Sequence, residues 1–163
     1  MSVFKTTFSR ALSVIRTNDA NIPFPAPNSI GTNTSVSGFL LIDSAATFVT
    51  DGVKTGDIVY NTTDTLAATV VSVIDETSLI LNAGIFLFTD KAYTIYQASS
   101  QTTIGNAGCF LYIGTAGNIR VTTIGNDVIT FFAVPEGTVL PVQVTKVWAV
   151  SSGTSANNII ALW

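Results

Sequence analysis

The stretch Leu66-Ala67-Ala68-Thr69-Val70-Val71-Ser72-Val73-Ile74-Asp75-Glu76-Thr77-Ser78-Leu79-Ile80-Leu81 decides the fold class. Its first half is rich in β-branched residues, which suit the pleated, half-buried surface of a strand. Asp75-Glu76-Thr77 then supplies turn chemistry, and Ser78 to Leu81 reads as the return strand of a hairpin. Outward from this hairpin, Phe39 to Ile42, Asp57 to Asn61 and Tyr93 to Tyr96 are further short strands. Asp43 to Gly56 reads as a loop with a short helical turn around Ala45 to Val49. Five short strands in about 60 residues predict a small SH3-like barrel over 36–98.

Further along, the strand-and-turn rhythm continues. Phe110 to Ile113, Ile119 to Thr123, Val128 to Val134, Val139 to Ser151 and Asn158 to Trp163 are separated by Gly-, Asn- and Pro-bearing turns. Strands at roughly ten-residue spacing predict a C-terminal β-sandwich over 99–163. Its apolar end, Ile159-Ile160-Ala161-Leu162-Trp163, calls for a paired strand, because a free apolar edge invites aggregation. Thr102-Thr103-Ile104-Gly105-Asn106 recurs as Thr122-Thr123-Ile124-Gly125-Asn126, which suggests two similar strand-end turns.

Before the hairpin module the pattern changes. Val3, Phe4, Phe8, Ala11, Leu12 and Ile15 recur at three- and four-residue spacing, which predicts a helix over 3–16. Asn21-Ile22-Pro23-Phe24-Pro25-Ala26-Pro27 follows, with prolines at alternate positions. Proline fixes φ and drives the preceding residue towards extended geometry, so this is an extended arm. The expectation is an all-β protein in three parts: helix and proline-rich arm (1–35), small barrel (36–98) and sandwich (99–163).

Composition narrows the function. The 163 residues include seven Lys and Arg, ten Asp and Glu and no His, and 47% are hydrophobic. A charged fraction of 10% is well below the roughly 25% of ordinary domains. No basic patch for nucleic acid can be assembled from so few cations. No apolar run approaches the ~20 residues of a membrane-spanning helix. Ser–His–Asp and Cys–His triads are excluded outright. A zinc site lacks its ligands, and the lone Cys109 beside Phe110 reads as a core residue.

The remaining candidates are weak. Asp75-Glu76, the adjacent carboxylate pair, sits in a turn, where acids are usually solvated. Asp43, Asp51 and Asp57 could hold calcium only if six or more oxygens converged. Gly114-Thr115-Ala116-Gly117 lacks the following helix that would cradle a phosphate. Tyr93, Tyr96, Trp148 and Trp163 could form a sugar platform, although aromatics more often fill cores and interfaces. No catalytic, cofactor or metal site is expected, and the chain reads as a non-enzyme.

Several segments together carry a resemblance. They are Asn21-Ile22-Pro23-Phe24-Pro25, Gly56-Asp57-Ile58-Val59-Tyr60-Asn61-Thr62-Thr63-Asp64, Ala68-Thr69-Val70 and Tyr93-Thr94-Ile95-Tyr96. Leu111-Tyr112-Ile113-Gly114, Pro135-Glu136-Gly137-Thr138-Val139-Leu140-Pro141-Val142 and Val147-Trp148-Ala149 complete the set. This pattern resembles small virion proteins of tailed bacteriophages. Its C-terminal part is similar to the head-spike base proteins of phages and gene-transfer agents, although the extra barrel-like module departs from that pattern.

The resemblance implies a homo-oligomeric decoration or spike-base subunit on the capsid surface or vertex. Its partners would be the major capsid protein or other virion proteins, and a fibre protein it could hold, with no nucleic acid and no membrane. The alternative is a tail-fibre or tip module that binds carbohydrate. On either reading Phe4, Phe8, Leu12, Ile15, Ile22, Phe24 and Trp163 are the expected assembly contacts. Removal of residues 1–27 would then abolish attachment and leave the β body folded.

Overall fold

A computed structural model describes residues 7–98 and 108–163. The described chain is all-β: thirteen strands in two antiparallel sheets. The first sheet contains β2 (Pro27–Thr32), β3 (Ser35–Ser37), β4 (Leu40–Ile42), β5 (Ile58–Asn61), β6 (Leu66–Asp75), β7 (Ser78–Leu81) and β8 (Ala92–Tyr96). Their spatial order is β2-β8-β5-β6-β7-β4-β3. The second contains β1 (Ala11–Ser13), β9 (Cys109–Thr115), β10 (Gly117–Thr123), β11 (Val128–Val134), β12 (Thr138–Val147) and β13 (Asn157–Leu162). It runs β1-β13-β9-β12-β10-β11.

The Leu66–Leu81 hairpin forms as the sequence suggests. Strand β6 bends as well: Leu66 to Thr69 pair with β5, and Val70 to Asp75 pair with β7 after a shift in register. Such shifts bend a strand and increase its twist. The ends of this sheet, β2 and β3, are separated only by Asn33-Thr34, so the sheet curls round until its ends meet. Asn33 is fully buried at that junction. Its Nδ2 donates to the carbonyls of Ser35 and Phe88, and its Oδ1 accepts from the Lys91 N–H. Inside the curl lie Phe48, Val59, Leu79, Phe86, Tyr93 and Ile95. Around Ala45 to Val49 the chain makes turns without a helix, with the Ala46 N–H donating to the Asp43 carbonyl.

The second sheet also folds over its own core, which includes Leu111, Ile113, Ile119, Val121, Val144 and Ile159. Strand β12 changes partner midway, from β9 at Thr138 to Leu140 to β10 at Val144 to Val147, with one contact to Cys109 retained. The apolar C-terminus is paired on both sides, to β1 and β9.

The N-terminal helix expectation is corrected. Residues 1–6, including Phe4, lie outside the described residues, and residues 7–16 are extended. Ala11 to Ser13 pair with Ile160 to Leu162. The N–H groups of Ser9 and Arg10 donate to the Trp163 carbonyl, and the Val14 N–H donates to Ile159. A helix of this length is marginal on its own, whereas the edge of β13 offers backbone partners at once. An extended segment also reaches two cores. Val14 packs on the second sheet's core. Leu12 and Ile15 cover Ile58, Tyr60 and Ala67 on the first sheet. Strand β5 is therefore buried on both faces along its whole length.

The proline-rich stretch forms no helix and makes a tight turn at Pro25, where the Ala26 N–H donates to the Phe24 carbonyl, yet it does not stand off as an arm. Ile22 donates its N–H to the Thr145 carbonyl and lies in the second core. Pro27 opens β2, an end strand where a missing N–H is tolerated. Thus β1 belongs to the second sheet and β2 to the first, and residues 14–26 run between them.

Candidate functional site

Among the described residues, the expected assembly contacts pack within the chain; Phe4 lies outside them. Phe8 lies 5.7 Å from Phe110, centroid to centroid. Phe24 meets Trp163 edge-on at 6.0 Å, and the Arg10 guanidinium sits 5.2 Å over the Phe24 ring. Leu12, Ile15 and Ile22 pack into cores as described above. The structure thus gathers Phe24 and Trp163 into one cluster and sends Leu12 and Ile15 to another.

The candidate acids are structural ties. The Glu76 carboxylate accepts from the Thr50 hydroxyl and from the N–H groups of Thr50 and Val49, which pins the 43–56 loop to the hairpin turn. These bonds, the Thr50 hydroxyl foremost, hold its carboxyl below the usual range. Asp75 accepts from its own turn at Thr77, and the Thr77 N–H lowers its carboxyl in the same sense. Asp43 accepts from the Tyr93 hydroxyl at 2.7 Å. Burial, and then that bond to Asp43, raise the Tyr93 phenol. Fully buried Asp57 accepts from the Lys54 and Ala98 N–H groups and from Asn28 Nδ2. Among the described residues no three Cys, Asp or Glu side chains gather where they could hold a metal.

The aromatics do not make one exposed platform. Tyr93 is buried, and Tyr96 packs against Tyr60 at 5.4 Å. Trp148 has two cations against its ring, Lys146 Nζ at 4.6 Å and Arg120 Cζ at 5.0 Å from its centroid. Lys146 also donates to the Asn18 carbonyl. It lines a cleft of about 320 Å³ with Asp19, Asn21, Gly56 and Thr69. Partial burial there lowers the Lys146 ammonium below its ordinary value.

Gly114 and Gly117 have a packing role. A Cβ on Gly114 would run into the Asn158 carbonyl, and one on Gly117 into the Ala156 backbone. Backbone obstacles cannot rotate away, so Gly117→Ala is expected to destabilise by about 1–3 kcal/mol. Chemical denaturation checks this, and an unchanged midpoint would contradict it.

Cys109 is buried in the second core with its Sγ directed at the Val144 carbonyl. Burial pushes its thiol up to about 12. Because the thiolate is the reactive form, a thiol reagent at pH 8 is expected to label Cys109 only as the protein unfolds. Rapid labelling of the native protein would contradict this burial.

Several large apolar side chains reach solvent. Phe132 is 76% exposed, Ile30 71%, Phe88 68% and Leu87 67%. Phe39 in the turn between β3 and β4, with Val128 and Ile129 on the second sheet, adds to this surface. Ion pairing among the described residues amounts to Lys91 with Asp64. No helix among the described residues is long and apolar enough to cross a membrane. Sequence reasoning missed these exposed positions because strand alternation marks two faces without saying which one meets water.

Comparison with known proteins finds no matching family model, no matching curated protein and no matching solved structure.

Proposed function

We propose that this chain is a bacteriophage virion structural protein, a capsid-associated decoration or spike-base subunit that acts by assembly and not by turnover. The observation that carries this reading is the surface just described. Large exposed apolar side chains are spread over both sheets of a chain with few charges. Interface cores are depleted in charge and enriched in aromatic residues, so such a surface suits burial against other protein. The likeness of the turn and strand signatures to virion proteins, and to spike-base proteins in the C-terminal part, gives that protein its class. The curled first sheet agrees with a small barrel of the SH3 kind, and the second, folded over its own core, with a sandwich. The partners on this reading are further copies of the chain, the major capsid protein or a fibre protein.

The structure alters the proposed means of attachment. Residues 7–27 are used internally, so docking falls to the exposed sheet surfaces. The test is to purify the phage particles that encode this chain, detect it by mass spectrometry and locate it in a density map. Stoichiometric density on the head shell or at its vertices is expected. Absence from purified particles would overturn the reading, and density at the tail tip would favour the receptor-binding alternative.

A further inference from the structure

A second cleft, of about 490 Å³, opens between the two sheets. Residues 13–16, where the chain leaves β1, and Asn157 to Ile159, which open β13, line it from the second sheet. Thr65, in the turn between β5 and β6, lines it from the first. Its volume lies within the roughly 300–1,000 Å³ of ordinary ligand sites.

The lining joins one cation to an apolar floor. Val14 is half-buried, Ile159 is buried and Val150 is 60% exposed. Arg16 is half-buried, and its Nη1 donates to the Ala156 carbonyl at 2.7 Å, which ties down the guanidinium. Arginine carries five N–H donors in a planar fork, so this bond uses one of them. Among the described residues no carboxylate stands within 4.0 Å of it. The chain holds ten acids against seven cations, so carboxylates are not scarce. A half-buried guanidinium is a costly group to leave without an anion. Backbone strain gathers at the same place. Among the described residues five non-glycine residues have positive φ, and Thr65, at 55°, and Asn158, at 49°, both line this cleft. A β-branched residue is a genuine outlier there, and strained backbone tends to collect at binding sites.

We propose that this cleft binds the C-terminal residue of a peptide chain, its carboxylate on Arg16 and its apolar side chain against Val14, Val150 and Ile159. The guanidinium fork matches a carboxylate with two parallel hydrogen bonds. Ser13 and Asn157, both exposed at the cleft, offer a hydroxyl and an amide to the peptide's own amide groups. A simple alkyl acid has nothing to pair with them, which favours a chain end as the occupant. Capture of a terminal carboxylate is a recurring mode of peptide recognition. This inference goes beyond the assembly reading and does not depend on it.

The test is a two-dimensional amide NMR titration of the full chain with N-acetyl-alanyl-leucine. The corresponding C-terminal amide and acetate serve as controls. One half-buried ion pair with a small apolar contact should give a dissociation constant on the order of 1 mM. Saturable shifts are expected at Arg16, Thr65, Asn157 and Asn158 and at the Arg16 side-chain Nε–H. The amide and acetate should each bind at least about tenfold more weakly, the first for want of charge and the second for want of a stem. Val150→Asp places a carboxylate at the rim on an exposed side chain, so the fold is kept and the peptide acid is repelled by at least about tenfold. Arg16→Gln should abolish binding; if it fails to fold, Val150→Asp decides alone. No saturable shift up to about 20 mM would overturn the site. An amide that binds as well as the acid would overturn the pairing with Arg16. Acetate that binds as well as the peptide would reduce the site to a general anion contact and overturn the chain-end occupant. Each of these failures leaves the assembly reading standing, because that reading is tested by location in the particle.

Discussion

A chain lacking residues 1–27 is expected to lose cooperative folding. On the sequence reading, this deletion removes an attachment arm and spares the body. In the structure it strips β1 from β13 and takes Ile22 out of the second core. It also uncovers Ile58, Tyr60 and Ala67, which Leu12, Ile15 and Ala20 cover. Burying one large aliphatic side chain stabilises by about 1.5–3 kcal/mol. Ile22, Val14, Leu12 and Ile15 together, even half-buried in part, approach about 6 kcal/mol on that scale. Typical domain stability is about 5–15 kcal/mol, so the loss is comparable to the whole. Near-UV circular dichroism and thermal melts of the truncated chain check this. A sharp transition within a few degrees of the full-length protein would show that the segment is dispensable.

Asp57→Ala is expected to cost about 3 kcal/mol or more, since truncation would leave buried donors without an acceptor. Its carboxylate is fully buried and accepts from the Lys54 N–H at 2.9 Å, from Asn28 Nδ2 at 3.2 Å and from the Ala98 N–H at 3.2 Å. These donors come from the loop before β5, from β2 and from the end of β8, so one side chain ties three segments. For a chain of this size a loss of 3 kcal/mol lowers Tm by about 6–12 °C. Asp57→Asn keeps one acceptor and should fall between wild type and alanine. An alanine variant melting within about 2 °C of wild type would mean that water or neighbouring groups replace the carboxylate without loss.

The strands from β4 onward were legible because each alternates or enriches β-branched residues between turns that carry their own chemistry. Val128 to Val134 and Ser78 to Leu81 fall where the residues placed them. The N-terminal segment misled because its apolar spacing fits a helix as well as an extended chain that feeds two cores. At Leu12, Val14 and Ile15 the side chains do not share one stripe; they divide between different partners. Strand β2 was hidden by its composition, since Pro27-Asn28-Ser29-Ile30-Gly31-Thr32 reads as loop until β8 is beside it. Gly31 is needed there because a Cβ would collide with Asp43 and Tyr93, a closeness only the folded chain reveals.

The sequence alone determined the all-β class, the turns, the burial of Cys109 and the lack of histidine, because these rest on local propensity and on which side chains exist at all. Tertiary structure decided everything that depends on partners distant in the chain. It turned Asp57 and Glu76 into ties between segments and drew residues 7–27 into the body. It also closed the first sheet at Asn33 and placed β11 at one end of the second. Hydrogen-bond partners and exposed edges are properties of pairing, and local sequence does not record which strand stands next to which.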